Sequence, residues 1–89
     1  MSEEERIRLR IAEIAARPKN VTFSEIEWVV NQLRAYHPVS ARPATHGVLF
    51  QIVDQTFMVC THNPGSKQVK AYCVKDFINA MIELGWFES

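Results

Sequence analysis

Residues 46–86 read HGVLFQIVDQTFMVCTHNPGSKQVKAYCVKDFINAMIELGW, and the fold turns on how this stretch is parsed. Two apolar runs flank the polar pair Asp54 and Gln55. In the first, Val48, Phe50 and Ile52 alternate with Leu49, Gln51 and Val53, the period of a strand with one wholly apolar face and one mixed face. Residues 56–60 read as the returning strand of a hairpin. A loop with His62, Pro64, Gly65 and Lys67 follows. The period then changes: Val74, Phe77, Ile78, Met81 and Ile82 sit at helical spacing, Gly85 falls where a left-handed cap ends a helix, and Trp86 is placed to fold back on Met81.

Upstream, residues 39–42 alternate briefly before Pro43, as a short edge strand does, which completes a three-stranded antiparallel meander. Such a sheet needs helices on its apolar face. A helix beginning at Thr22 supplies one, with Thr22 and Glu25 spaced as a capping box and Phe23, Ile26, Val29, Val30 and Leu33 as its stripe, running through Tyr36 until Pro38 halts it. His37 reads as structural or exposed. Trp28 lies off the stripe, either filling a gap between the amino-terminal helices or standing on an exposed contact surface. Residues 3–16 form a further amphipathic helix, with Ile7, Ile11, Ile14 and Ala15 inward, Glu3, Glu4 and Glu5 at its start and Arg17 at its end. Arg6, Arg8 and Arg10 recur every second residue, so they fan around this helix as solvated surface. The expected class is α+β: helix, helix, three-stranded antiparallel meander and carboxyl-terminal helix, in a single domain over residues 1–89.

Eighty-nine residues build one modest core and no deep cleft. Apolar residues make up 47% and charged residues 22%, which argues for folding over disorder. Ten basic and ten acidic residues cancel, so any electrostatic attraction has to be local. It is local: residues 33–76 carry five basic and two acidic groups, a net of plus three. Cys60 and Cys73 sit in apolar surroundings without a second close pair, so they read as core thiols of a reducing, cytoplasmic protein; a zinc site from His46, Cys60, His62 and Cys73 matches no zinc spacing. Neither a signal core nor a membrane-spanning run is present in the sequence.

The chemistry-bearing residues gather around the hairpin. His46 opens the central strand, after Ala44 and Thr45 and before Gly47, which permits close backbone approach. Antiparallel return of the next strand brings His62 toward it, and Lys67 and Lys70 occupy the following connection. An imidazole with an ordinary pKa of about 6.5 beside flexible ammonium groups suits proton transfer at a phosphodiester. The same residues have plainer readings: His62 as a turn residue, and Lys67, Lys70 and Lys75 as solubilising charges.

A histidine opening a strand, a returning strand that ends in a second histidine, a loop of Gly and Lys, and a final helix closed by Leu-Gly-aromatic together resemble the HicA toxins. Ala44, Thr45 and His46 match the place of that family's Gly-Ser-His, and residues 59–70, VCTHNPGSKQVK, resemble its His, Gly and Lys strand and loop. The likeness covers residues 22–86 and leaves the first helix as an addition. It departs from the family in Ala-Thr for Gly-Ser, in Gly47, and in the absence of strong basicity.

The resemblance implies a fold similar to the double-stranded RNA-binding domain and a metal-independent endoribonuclease, an mRNA interferase of a bacterial toxin-antitoxin system neutralised by a HicB-like antitoxin. It implies His46 as the catalytic residue, with Thr45, His62, Lys67 and Lys70 contacting RNA, and no cofactor. The alternative is a non-catalytic RNA-binding or protein-interaction module on the same scaffold.

Overall fold

The computed structural model describes residues 2–62 and 65–88, so Asn63 and Pro64 of the loop after His62 lie outside the described residues. Helix α1 spans Glu3–Ala16, α2 spans Phe23–Leu33, the strands are β1 (Val39–Ala44), β2 (Gly47–Ile52) and β3 (Gln55–Cys60), and α3 spans Ala71–Glu83. This is the α+β order expected from the sequence.

Local signals set the ends of the helices. Ser2 caps α1 by accepting from the Glu5 amide at 3.1 Å. At α2 the capping box is complete: the Thr22 hydroxyl accepts from the Glu25 amide, and the Glu25 carboxylate accepts from the Thr22 amide at 3.1 Å. The far end of α3 closes as a Schellman motif, with the Trp86 amide donating to the Met81 carbonyl at 2.8 Å and the Gly85 amide to Ile82 at 3.0 Å. Gly85 takes φ +83°, which an L side chain rarely adopts.

The sheet order is β1-β2-β3, antiparallel throughout. Pro43 lies inside β1 and does not end it. An edge strand tolerates a residue that cannot donate, and β1 runs on to Ala44. The β2–β3 hairpin turns at Val53 and Asp54, one residue earlier than the polar pair suggested, and Val53 adopts φ +58°.

Past Cys60 the pairing continues in a form too short to be a named strand. Thr61 bridges Val69 and Gln68 bridges Thr22, so residues 68 and 69 lie between the end of β3 and the entry to α2. The amides of Val69 and Phe23 tie this strip to Val21 and Lys67, each at 2.8 Å.

The inward sheet face carries Phe50, Ile52, Phe57 and Val59, all buried. Four phenylalanines cross the core from α2 through the sheet to α3. Ring centroids are 6.4 Å apart for Phe23 and Phe50, 5.6 Å for Phe50 and Phe57, and 5.5 Å for Phe57 and Phe77. Burying each of the three enclosed rings, Phe50, Phe57 and Phe77, stabilises the fold by about 1.5–3 kcal/mol, and Phe23 is partly buried. Ile7, Ile11 and Ile14 of α1 are fully buried in the same core, so the first helix is an integral layer. Trp28 packs partly buried against that core under the Arg10 guanidinium, 5.1 Å from its ring centre, which resolves its role as packing between α1 and α2.

Candidate functional site

Among the described residues no polar or charged side chain is buried. Chemistry therefore has to be sought on the surface, and two places concentrate polar groups.

The first is a lock between the chain's distant parts. The Trp86 indole Nε1 donates to His37 Nε2 at 2.9 Å, Tyr36 meets the same indole edge-on at 5.1 Å, and the Arg8 guanidinium stands 4.9 Å from the ring centre. Arg8 also donates to the Gly85 carbonyl at 3.0 Å. This contact explains why α2 stops at Leu33 although the apolar period continues through Tyr36: Tyr36 and His37 pack on Trp86 instead. A second clamp joins the helices, where Arg17 pairs with Glu25 and donates to the Asn20 carbonyl at 2.6 Å. The Arg17 hydrogen bond holds the Glu25 carboxyl at about 2, far below the usual range, with the Thr22 amide adding to the effect. Both clusters join elements of the fold, and His37 is structural.

The second place is one end of the sheet. Thr45 and His46 form the two-residue turn between β1 and β2, so His46 precedes the central strand instead of opening it. Both are exposed. Gly47, the next residue, pairs with Cys60. A Cβ at Gly47 would lie 2.1 Å from the Val59 carbonyl oxygen, so the close approach that glycine allows is to the neighbouring strand, not to a ligand.

The same register brings the other candidates to this rim. The Lys70 amide donates to the Cys60 carbonyl at 2.9 Å, level with the Gly47 pair, and two strand spacings, roughly 10 Å, separate the Gly47 and Lys70 backbones. The His62 amide donates to Gln68 at 3.3 Å, and Lys67 stands one residue beyond, its carbonyl accepting from Phe23. Thr45, His46, His62 and Lys67 are exposed, and Lys70 is half-buried. The structure thus gathers all five at one end of the sheet by their backbones, with Lys67 set farthest toward α2. No hydrogen bond or ion pair among the described residues fixes the His46 ring.

The carboxylate beside the Lys67 end of this rim, Glu25, is already paired with Arg17. Residues 44–47, 60–62 and 65–72 contain no carboxylate. Helices α1 and α2 begin with glutamates and a side-chain cap, whereas among the described residues α3 begins at Lys70 with neither. A cation at the positive end of a helix dipole is unfavourable until an anion joins it. Cys60 and Cys73 are buried and free, and burial pushes the Cys73 thiol up, so both act as packing.

Sequence reading missed Tyr72. It is the second residue of α3, 58% exposed, with the Lys70 ammonium 5.9 Å from its ring centre. Its position inside an apolar helical period concealed it, although its place one residue before the buried Cys73 put it off the stripe.

Among the described residues no three His, Cys, Asp or Glu side chains are placed to hold a metal ion, and no helix is long and apolar enough to cross a membrane. Comparison of the chain with protein-family models, with curated proteins and with solved structures finds no match.

Proposed function

We propose that this chain is a HicA-like toxin, a metal-independent endoribonuclease that cleaves messenger RNA. One observation carries the reading: a single sheet rim, whose own segments 44–47, 60–62 and 65–72 carry no carboxylate, holds His46, His62, Lys67 and Lys70. His46 accepts the proton of a ribose 2′-hydroxyl as that oxygen attacks the adjacent phosphorus, and the imidazolium returns a proton to the departing 5′ oxygen. Lys67 and Lys70 offset the charge that develops on the phosphoryl oxygens, while Thr45 and His62 contact the RNA. A HicB-like antitoxin is the partner that such a toxin requires, and the bacterial cytoplasm is where it acts.

The test is incubation of the purified chain with messenger RNA in excess chelator. Cleavage that survives chelation, with growth arrest on expression relieved by a co-expressed HicB-like protein, is the expected result; intact RNA at every protein concentration contradicts it. The free orientation of His46 favours a second reading, an RNA-binding module without catalysis. That module binds RNA with a steep salt dependence and leaves it whole.

A further inference from the structure

We propose that Tyr72 is a stacking platform for one unpaired nucleobase, so that the rim takes single-stranded RNA and discriminates against duplex. The inference rests on the RNA-cleaving reading above and names the form of its substrate.

Three observations converge on Tyr72. A large aromatic side chain 58% exposed on the first turn of a helix leaves apolar surface in water. The residue stands at the rim itself: Lys70, two residues before it, is hydrogen-bonded to Cys60, and Cys60 pairs with Gly47 next to His46. A base on Tyr72 would therefore leave its phosphate beside Lys70, whose ammonium already stands 5.9 Å from the ring centre. Flat aromatic surface with a cation close by is the combination that grips successive nucleotides of a single strand. An ordinary phenol is uncharged near neutral pH, so the ring meets the polyanion as a neutral group, and the Cys73 thiol, followed by partial desolvation and Cys60, moves the Tyr72 pKa further up.

Duplex RNA fits this geometry poorly. Its bases are stacked on one another, and proteins that read it spread contacts over two successive minor grooves. Here Lys67 and Lys70 are concentrated at one rim instead of being spaced across two grooves.

The test compares native chain, Tyr72→Ala and Tyr72→Phe for binding to a short single-stranded oligoribonucleotide, the same strand annealed to its complement, and a series with one abasic nucleotide stepped along it. Native chain and Tyr72→Phe are expected to bind the single strand within about twofold of each other, and Tyr72→Ala about five- to a hundredfold more weakly. One abasic position is expected to erase the difference between native chain and Tyr72→Ala, and the duplex to bind more weakly than the strand. Unaltered thermal unfolding of Tyr72→Ala, expected for so exposed a side chain, separates lost stacking from lost structure. Equal binding by native chain and Tyr72→Ala, a Tyr72→Phe as weak as Tyr72→Ala, or equal binding of duplex and strand overturns the stacking role and leaves the RNA-cleaving reading intact. Failure of the native chain to bind any of the RNAs overturns both.

Discussion

The two ends of the sheet's surroundings are built on opposite rules. Around Trp86 polar groups pair within the fold, with His37 and Arg8 meeting the indole and Arg8 reaching Gly85, and at the junction of α1 and α2 Arg17, Glu25 and Thr22 close on one another in the same way. At the rim beyond Gly47, Thr45, His46 and Lys67 are exposed side chains held by the backbone beneath them and by no side-chain hydrogen bond or ion pair of their own among the described residues. A group that has found an internal partner serves the fold, and one positioned rigidly but left open to solvent is available to something else.

Substitutions can sharpen or break this contrast. The largest effect is expected in the core both regions share. Phe77→Ala removes a fully buried ring from the phenylalanine run and should cost about 3–5 kcal/mol in urea unfolding. Gly47→Ala comes next, because its Cβ meets backbone that cannot yield without parting β2 from β3. A loss of about 1–3 kcal/mol is expected, and an unchanged midpoint would mean that this end of the sheet is loosely paired.

Acid acts on the partnered groups. Glu25 has a folded pKa of about 2, below its ordinary 4.5, so its contribution is fully present above pH 4.5 and is lost as pH falls toward 2. Since the pair is partly open to solvent, roughly 1 kcal/mol is expected. Glu25→Gln should flatten that part of the stability profile; a profile identical to that of the native chain would show that the Arg17 clamp holds nothing. The smallest effect is expected at the rim: Lys67→Ala should shift stability by less than about 0.5 kcal/mol. The same change should lower the slope of log affinity against log salt by about 0.7 if Lys67 holds a phosphate of single-stranded RNA. A substantial loss of stability in Lys67→Ala would erase the contrast.

The sequence made the framework legible where a residue's chemistry dictates geometry. Thr22 with Glu25, Gly85 before Trp86, and the alternation through Val48, Phe50 and Ile52 each specify one local structure, and each takes that structure. It was less legible where tertiary contacts decide. The Val53–Asp54 turn could not be read because a β-branched residue at positive φ violates the preference that places turns at polar pairs. The end of α2 depended on Trp86, fifty residues away in sequence, drawing in Tyr36 and His37. The site was half legible: histidines and lysines in one loop region suggested it, and Gly47 signalled a close approach, but that the Val59 carbonyl on another strand makes it could not be read. Tyr72 was passed over because exposure cannot be read from residue type.

His46→Ala, followed in parallel by thermal unfolding and by RNA cleavage, tests the central claim most directly. An exposed turn residue with no partner among the described residues should leave the midpoint within the range of a surface substitution. Cleavage should fall by about a hundredfold to ten thousandfold, the contribution general acid and base action typically makes. Cleavage at the native rate in a folded His46→Ala chain would contradict the account and remove the imidazole from the reaction.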